Sequence, residues 1–334
     1  METEFRTKLM EKLKERGLTD SSIKLYIRNL EKLNDDLPLK NLKFLENVDN
    51  VVAKLKEYKP NTMRGYFISI VATLSCFKEE NKKFKKLYDN YYKLMIDKAK
   101  EIKDKPTEEM NDAQKNNWLS WEEIKGKFEE LKKKVESFIN NKEINNHQYS
   151  TLLSYVVLAL YFYNPPRRNK DYQMMNIIKN YSDVLPTDVN YLSLDDNEFI
   201  FNVFKTSKKE GQVKIKFNDD MKTVINQYLK FHPLIKGKKL AKTSNIPFLV
   251  YFDGKEFDKV NSITRILNKI FDKKIGSSML RHIFLTDKYK DTLKEQQKDS
   301  KMMGHSVETQ KDYIKDDSEV KKKTNKDKKG TFEV

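Results

Sequence analysis

The spacing of apolar residues along the chain predicts a protein built mainly from α-helices. From residue 1 to about residue 104, apolar positions recur every three or four residues, with helix-capping residues ahead of them. Thr19 caps one predicted helix, residues 42–58 form an amphipathic segment, Pro60 opens a further helix, and residues 82–103 form another. This part of the chain is therefore predicted to be a small helical domain.

A polar stretch, residues 105–118, is predicted to be a linker to a second domain, residues 119–314. The stretch contains Pro106 and few apolar residues, as interdomain linkers commonly do. Ser120 and Glu123 then form a capping-box pattern that starts the next helix. Residues 149–163 are apolar nearly all round, which is typical of a buried central helix.

Further along the chain, residues 198–204 and 213–217 alternate apolar and polar positions, which predicts a β-hairpin. The tip of this hairpin would carry Lys205, Lys208 and Lys209. Residues 218–231 and 260–271 are predicted to be amphipathic helices. The predicted fold class is thus mainly α with a small β-hairpin or sheet (α+β). Residues 315–334 are rich in lysine and are predicted to be a flexible basic tail.

Composition adds a strong positive charge to this picture. The 334 residues include 66 Lys and Arg against 50 Asp and Glu, for a net charge of +16. A polyanionic partner such as DNA is expected, because cationic side chains that neutralise phosphates release condensed counterions. A lysine-rich chain from an AT-rich genome would show a similar excess, so charge alone does not decide the function.

Cysteine and histidine usage indicates chemistry without a metal or other cofactor. Cys76 is the one cysteine, which excludes an intrachain disulfide framework, and the four histidines lack metal-ligand spacing. The apolar run 152–163 is shorter than the roughly 20 residues needed to cross a membrane. The first residues lack the apolar core of a signal peptide. An intracellular protein without a membrane partner is expected.

The candidate chemistry lies near the C-terminal end, where Arg281, His305 and Tyr313 follow one another. A guanidinium matches two phosphate oxygens, an imidazole donates to a third, and a phenol is a nucleophile that can attack phosphorus. The spacing between Arg281 and His305 suits two helices joined by a turn. Taken singly, each residue is more simply a surface or structural residue, but together they predict a phosphodiester site.

The triplets Leu280-Arg281-His282 and Gly304-His305-Ser306, followed by Tyr313, resemble the C-terminal box of tyrosine recombinases. That family carries its first catalytic arginine just after a buried helix, with an acid three residues later. Arg168 followed by Asp171 fits this pattern. Arg167 fits one register worse and is the alternative, or a further phosphate contact. The helices of residues 1–104 more weakly resemble the SAM-like core-binding domain that precedes the catalytic domain in this family.

The resemblance implies a site-specific recombinase or integrase of the phage, DNA-virus or mobile-element type. Tyr313 would attack the scissile phosphate and form a 3′-phosphotyrosyl link, while Arg168 and Arg281 hold the non-bridging oxygens. His305 would donate a hydrogen bond to the same phosphate. Lys205 is the favoured general acid for the leaving 5′-oxygen, with Lys208 and Lys209 as alternatives.

The implied partners are double-stranded DNA and further copies of the chain, as a tetramer on DNA. The implied location is the nucleus or viral factory of a host cell, or the cytoplasm of a prokaryote.

One position departs from the family pattern. Three residues before the second arginine, the family usually has His or Lys, whereas this chain has Ser278. Slower proton transfer is expected, and His282 is a possible substitute. Two alternatives remain: a type IB topoisomerase-like enzyme that relaxes DNA, and a DNA-binding protein whose catalytic site has decayed.

Overall fold

The chain divides into two compact units, Met1–Met110 and Asn111–Val334. The computed structural model describes residues 3–104, 110–236, 246–257, 259 and 261–313, apart from the side chains of residues 311 and 312. The predicted basic tail, residues 315–334, lies outside the described residues.

The first unit is a helical bundle around an apolar core. Its helices are α1 (Glu4–Glu15), α2 (Asp20–Leu33), a 3-10 turn (Lys43–Leu45), α3 (Val48–Leu55), α4 (Pro60–Leu74) and α5 (Lys82–Lys103). Thr19 caps α2, because its hydroxyl accepts a hydrogen bond from the Ser22 backbone N–H. The predicted segment 42–58 is broken in two, since Asn47 caps a new helix through the Asn50 N–H.

Helix α6 (Asp112–Asn117) lies inside the predicted linker. Asn111 and Gln114 cap it reciprocally, which is a capping box built from two amides. The Asn117 side chain also accepts a hydrogen bond of 2.8 Å from the backbone N–H of Lys274. Residues 111–118 are therefore tied to the second unit, and residues 105–109 lie outside the described part of the chain.

The second unit combines helices with a small sheet. Its remaining helices are α7 (Trp121–Glu136), α8 (Asn146–Phe162), α9 (Asn169–Gln173), α10 (Ser207–Glu210), α11 (Asp219–Lys230), α12 (Ser262–Phe271), α13 (Ser277–Met303) and α14 (Val307–Tyr313). The Ser120–Glu123 capping box begins α7 as predicted. Every residue of α8 from Leu152 to Tyr161 is buried, so this helix forms the centre of the core.

The sheet has the strand order β4-β3-β2-β1-β5. Its strands are β1 (Met175–Ile178), β2 (Asn190–Ser193), β3 (Glu198–Phe201), β4 (Val213–Lys216) and β5 (Ile246–Pro247). The β1–β2 pair is parallel and the other pairs are antiparallel. The predicted hairpin is the β3–β4 pair, and the mainly α fold with a small mixed sheet (α+β) is confirmed.

Helix α13 corrects one prediction. A turn was expected between Arg281 and His305, but the helix runs without interruption to Met303. It ends at Gly304, whose φ of 74° is the left-handed conformation that closes a helix. Residues 277–303 contain neither Gly nor Pro, so no residue in this stretch stops the helix.

Candidate active site

The Arg167 side chain contacts buried residues of the second unit. Its Nε lies 3.0 Å from an Asp171 carboxylate oxygen, and its guanidinium carbon lies 3.9 Å from the centre of the Phe201 ring. Asp171 is buried, and burial raises its pKa, although Arg167 and then Arg168 oppose that rise. The guanidinium of Arg167 therefore neutralises a buried carboxylate, which leaves Arg168 as the arginine free to meet a ligand.

Arg168 is placed by the start of α9, where it is the N-cap residue. Its side chain is half-buried, and its guanidinium makes no hydrogen bond or ion pair with any residue that the structure describes. Arg281, in the second turn of α13, has the same two properties. Holding a half-buried guanidinium without an anion is unfavourable, so both positions are suited to an incoming phosphate.

Arg168 adjoins a partly buried hydrogen-bond network that connects three helices. The Tyr161 hydroxyl donates to Asn169 Oδ1 at 2.8 Å, and Asn169 Nδ2 donates to Thr264 Oγ1 at 2.7 Å. Asn169 directly follows Arg168 in the chain. Burial raises the pKa of Tyr161 well above its usual value, and the positive charge of nearby Arg281 opposes that rise. Sequence reasoning missed these three polar residues, because no motif marks them.

The exposed side of α13 near its first residue carries Ser278 and His282. Ser278 and His282 are both exposed, and neither side chain has a hydrogen-bond or ion-pair partner among the described residues. Leu280 and Ile283 are buried, and the Phe284 ring packs edge-on against Trp121 at 5.7 Å. The helix is thus anchored by its apolar side, and its exposed side offers a neutral hydroxyl where a basic group was expected from the family pattern.

The lysines at the tip of the β3–β4 hairpin are exposed. Lys205 lies in the turn after β3, while Lys208 and Lys209 lie on the single helical turn α10. Gly211, with φ 72°, closes that turn and leads into β4. None of the three ammonium groups forms an ion pair within the described part of the chain, so each is available to an anionic ligand.

His305 and Tyr313 are brought together at the far end of α13. Their ring centroids are 5.4 Å apart and the rings are nearly parallel. The Ser300 hydroxyl donates a hydrogen bond of 2.8 Å to the Gln310 side chain, which braces α14 against the end of α13. Tyr313 is 69% exposed, so this side chain is accessible from solvent.

The predicted site is divided into two groups by α13. At 1.5 Å per residue, the uninterrupted helix separates Arg281 from Met303, next to His305, by about 33 Å. Every residue from 287 to 295 is exposed, so the described chain does not pack against the middle of this helix. Arg281 therefore lies near one end of α13, His305 and Tyr313 lie at the other end, and this conformation does not bring them together.

No cluster of His, Cys, Asp or Glu in the described residues has the arrangement of a metal site. Among these residues, no helix is long and apolar enough to span a membrane.

Comparisons with known proteins leave the family open. No protein-family model matches the sequence, and no curated protein matches it. Among solved structures, the crystal structure of XerA recombinase aligns over 98% of this chain and 99% of that chain, with 13% identity and a TM-score of 0.34. A likeness at this level does not bear on function, which therefore has to be argued from the residues.

Proposed function

We propose that this protein cuts and rejoins DNA strands through a tyrosine nucleophile, as site-specific recombinases and integrases do. The observation that carries the proposal is the pair of half-buried, unpaired guanidiniums of Arg168 and Arg281. Together with a net charge of +16, two such groups favour an anionic ligand with several oxygens, and a DNA phosphodiester has that chemistry.

In the proposed reaction, the Tyr313 hydroxyl gives its proton to solvent, its oxygen attacks the scissile phosphorus, and the bond to the 5′-oxygen breaks. Arg168 and Arg281 stabilise the charge that grows on the non-bridging oxygens, and His305 donates a hydrogen bond to one of them. Lys205 supplies the proton for the leaving 5′-oxygen, with Lys208 as the alternative donor. The 3′-phosphotyrosyl bond conserves the energy of the broken bond, so a second 5′-hydroxyl can reverse the step.

The proposal requires the two groups of the site to meet. Helix α13 can open in its exposed middle and fold Tyr313 back towards Arg281. Alternatively, Tyr313 of one copy can meet the arginines of another copy, within the tetramer on DNA that the family resemblance implies. Both routes are compatible with a helix whose middle residues, 287–295, pack against nothing in the described chain.

Covalent trapping tests the proposed reaction. A pool of nicked duplexes with a randomised core serves as substrate. The core is randomised because the target sequence is unknown. The nick releases a short fragment after cleavage, and its loss prevents religation. We expect a protease-sensitive protein–DNA adduct with the natural chain and none with Tyr313→Phe. Sequencing the trapped DNA then gives the target site.

A second candidate is a DNA-binding protein that does not cleave. Ser278 supports it, because an exposed neutral hydroxyl replaces the usual basic residue, and so does the distance along α13 between Arg281 and Tyr313. DNA binding without an adduct on any duplex in the pool would favour this candidate over the enzyme. Relaxation of supercoiled plasmid without exchange between duplexes would instead favour a topoisomerase-like enzyme.

A further inference from the structure

We infer that Asn169 is a positioning residue that sets the spacing between Arg168 and Arg281. The inference rests on the proposed function, because it concerns how the two arginines come to face one phosphate. Asn169 is the first residue of α9 and directly follows Arg168, so any movement of its side chain is transmitted to the arginine's backbone.

Both polar atoms of the Asn169 amide are used, and they connect different helices. Oδ1 accepts from Tyr161 on α8 at 2.8 Å, and Nδ2 donates to Thr264 on α12 at 2.7 Å. Tyr161 is fully buried, so this arm of the network is anchored in the core of the second unit. The amide thus fixes α9, and with it Arg168, relative to α8 and α12.

The other arm of the network reaches the start of α13. Thr264 lies so close to Gly276 that a Cβ added to this glycine would be 3.8 Å from the Thr264 hydroxyl oxygen. Gly276 is the N-cap residue of α13, and its carbonyl accepts the hydrogen bond from the Leu280 N–H, one residue before Arg281. Thr264 therefore lies near the N-cap of α13, and we expect a shift of Thr264 to reach the helical turn that carries Arg281.

The chemistry of this position favours an amide over its alternatives. An aspartate keeps an acceptor for Tyr161 but loses the donor to Thr264, and it places a negative charge next to Arg168, whose guanidinium should be free for phosphate. An alanine loses both bonds and leaves a buried tyrosine hydroxyl without its acceptor. Asparagine connects both sides without neutralising the arginines.

The main test compares Asn169→Ala with the natural chain on two substrates that differ at the scissile position. One substrate carries the ordinary phosphate, and the other carries a neutral methylphosphonate. The methylphosphonate has one charged oxygen fewer, so it depends less on stabilisation by Arg168 and Arg281. We expect Asn169→Ala to slow adduct formation about tenfold or more on the phosphate, because misplaced donors stabilise the transition state poorly. The loss should largely disappear on the methylphosphonate.

Matched variants separate positioning from folding. Thr264→Val removes the acceptor for Asn169 Nδ2 and should reproduce the substrate-dependent loss, whereas Thr264→Ser keeps the hydroxyl and should behave like the natural chain. Equal slowing of Asn169→Ala on both substrates, with a lowered melting temperature, would mean a structural role only and would overturn the inference. Unchanged rates on both substrates would overturn it as well.

A binding measurement keeps the inference testable even if no cleavage occurs. Titration with inorganic phosphate should show binding to the natural chain and about tenfold weaker binding to Asn169→Ala. Phosphate binding that depends on Asn169, without any covalent adduct, would contradict the proposed function and retain the positioning role. Phosphate binding that ignores the substitution, or no phosphate binding at all, would contradict the positioning role.

Discussion

Opening of α13 gives the sharpest prediction, because Tyr313 cannot reach Arg281 within one chain while this helix is continuous. Lys290 lies in the exposed middle of the helix and forms no ion pair with any described residue. Lys290→Gly weakens the helix, whereas Lys290→Ala removes the same charge and keeps the helix. The two variants therefore differ mainly in the cost of opening the helix at this point.

The expected size of the effect follows from helix propensity. Glycine is less favourable than alanine in an exposed helix interior by about 1 kcal/mol, which is roughly a fivefold change in an equilibrium constant. No tertiary contact holds residues 287–295, so little else opposes opening there. If opening precedes attack and is unfavourable, we expect Lys290→Gly to form the covalent adduct up to about fivefold faster than Lys290→Ala.

The assay is single-turnover adduct formation on the trapped duplex, at protein concentrations well above that of the DNA. Equal rates for the two variants, or a slower rate for Lys290→Gly, would refute opening of the helix as the route. Mixing Tyr313→Phe with Arg281→Ala protein then tests assembly between copies. Adduct formation by the mixture, but by neither variant alone, would show that one copy supplies Tyr313 and another supplies the arginine.

Three further predictions concern buried charge, pH and proton donation. Arg167→Met should cost about 3–5 kcal/mol of unfolding free energy at neutral pH, because Asp171 loses its buried partner. Burial raises the pKa of Asp171, so its ionised form destabilises the fold above that pKa. Protonated Asp171 does not need Arg167 as a partner, so the loss of stability caused by Arg167→Met in thermal unfolding should become smaller as pH falls. Burial lowers the pKa of His232 from 6.5 to about 4. Urea unfolding should therefore show about 3 kcal/mol of stability lost as pH falls from 6.5 to 4. Stability that does not change over this pH range would contradict the lowered pKa of His232. Lys205→Ala should slow cleavage of ordinary DNA by roughly 10²–10⁴-fold. The loss should be much smaller on DNA with a 5′-bridging phosphorothiolate, because a thiolate leaves without needing a proton. If Lys208→Ala shows this pattern and Lys205→Ala does not, Lys208 is the proton donor.

Local signals in the sequence were sufficient for most of the helices and for the hairpin. Ser120 and Glu123 mark the start of α7, because a capping box needs only residues three apart. The β4 strand shows period-two alternation, because Val213 and Ile215 are half-buried while Lys214 and Lys216 are exposed. The strands β3 (from Phe199 to Phe201) and β2 (Asn190–Ser193) are buried on both faces, and β2 was missed because its sequence shows no alternating pattern.

The arrangement of the candidate site depends on contacts that a sequence does not display. Arg167 and Arg168 are adjacent and chemically alike, and only the ion pair and ring contact of Arg167 distinguish the internal arginine from the free one. The spacing between Arg281 and His305 fits two short helices as well as one long helix. The structure has the long helix, because this stretch lacks Gly and Pro.

The most direct test of the account is the identity of the residue that becomes linked to DNA. The trapped adduct is digested with protease and nuclease, and the nucleotide-bearing peptide is sequenced by mass spectrometry. The account predicts a 3′-phosphoryl nucleotide on Tyr313 and loss of that peptide in Arg168→Ala and Arg281→Ala. A nucleotide on a different residue, or a 5′-phosphoryl linkage, would contradict it.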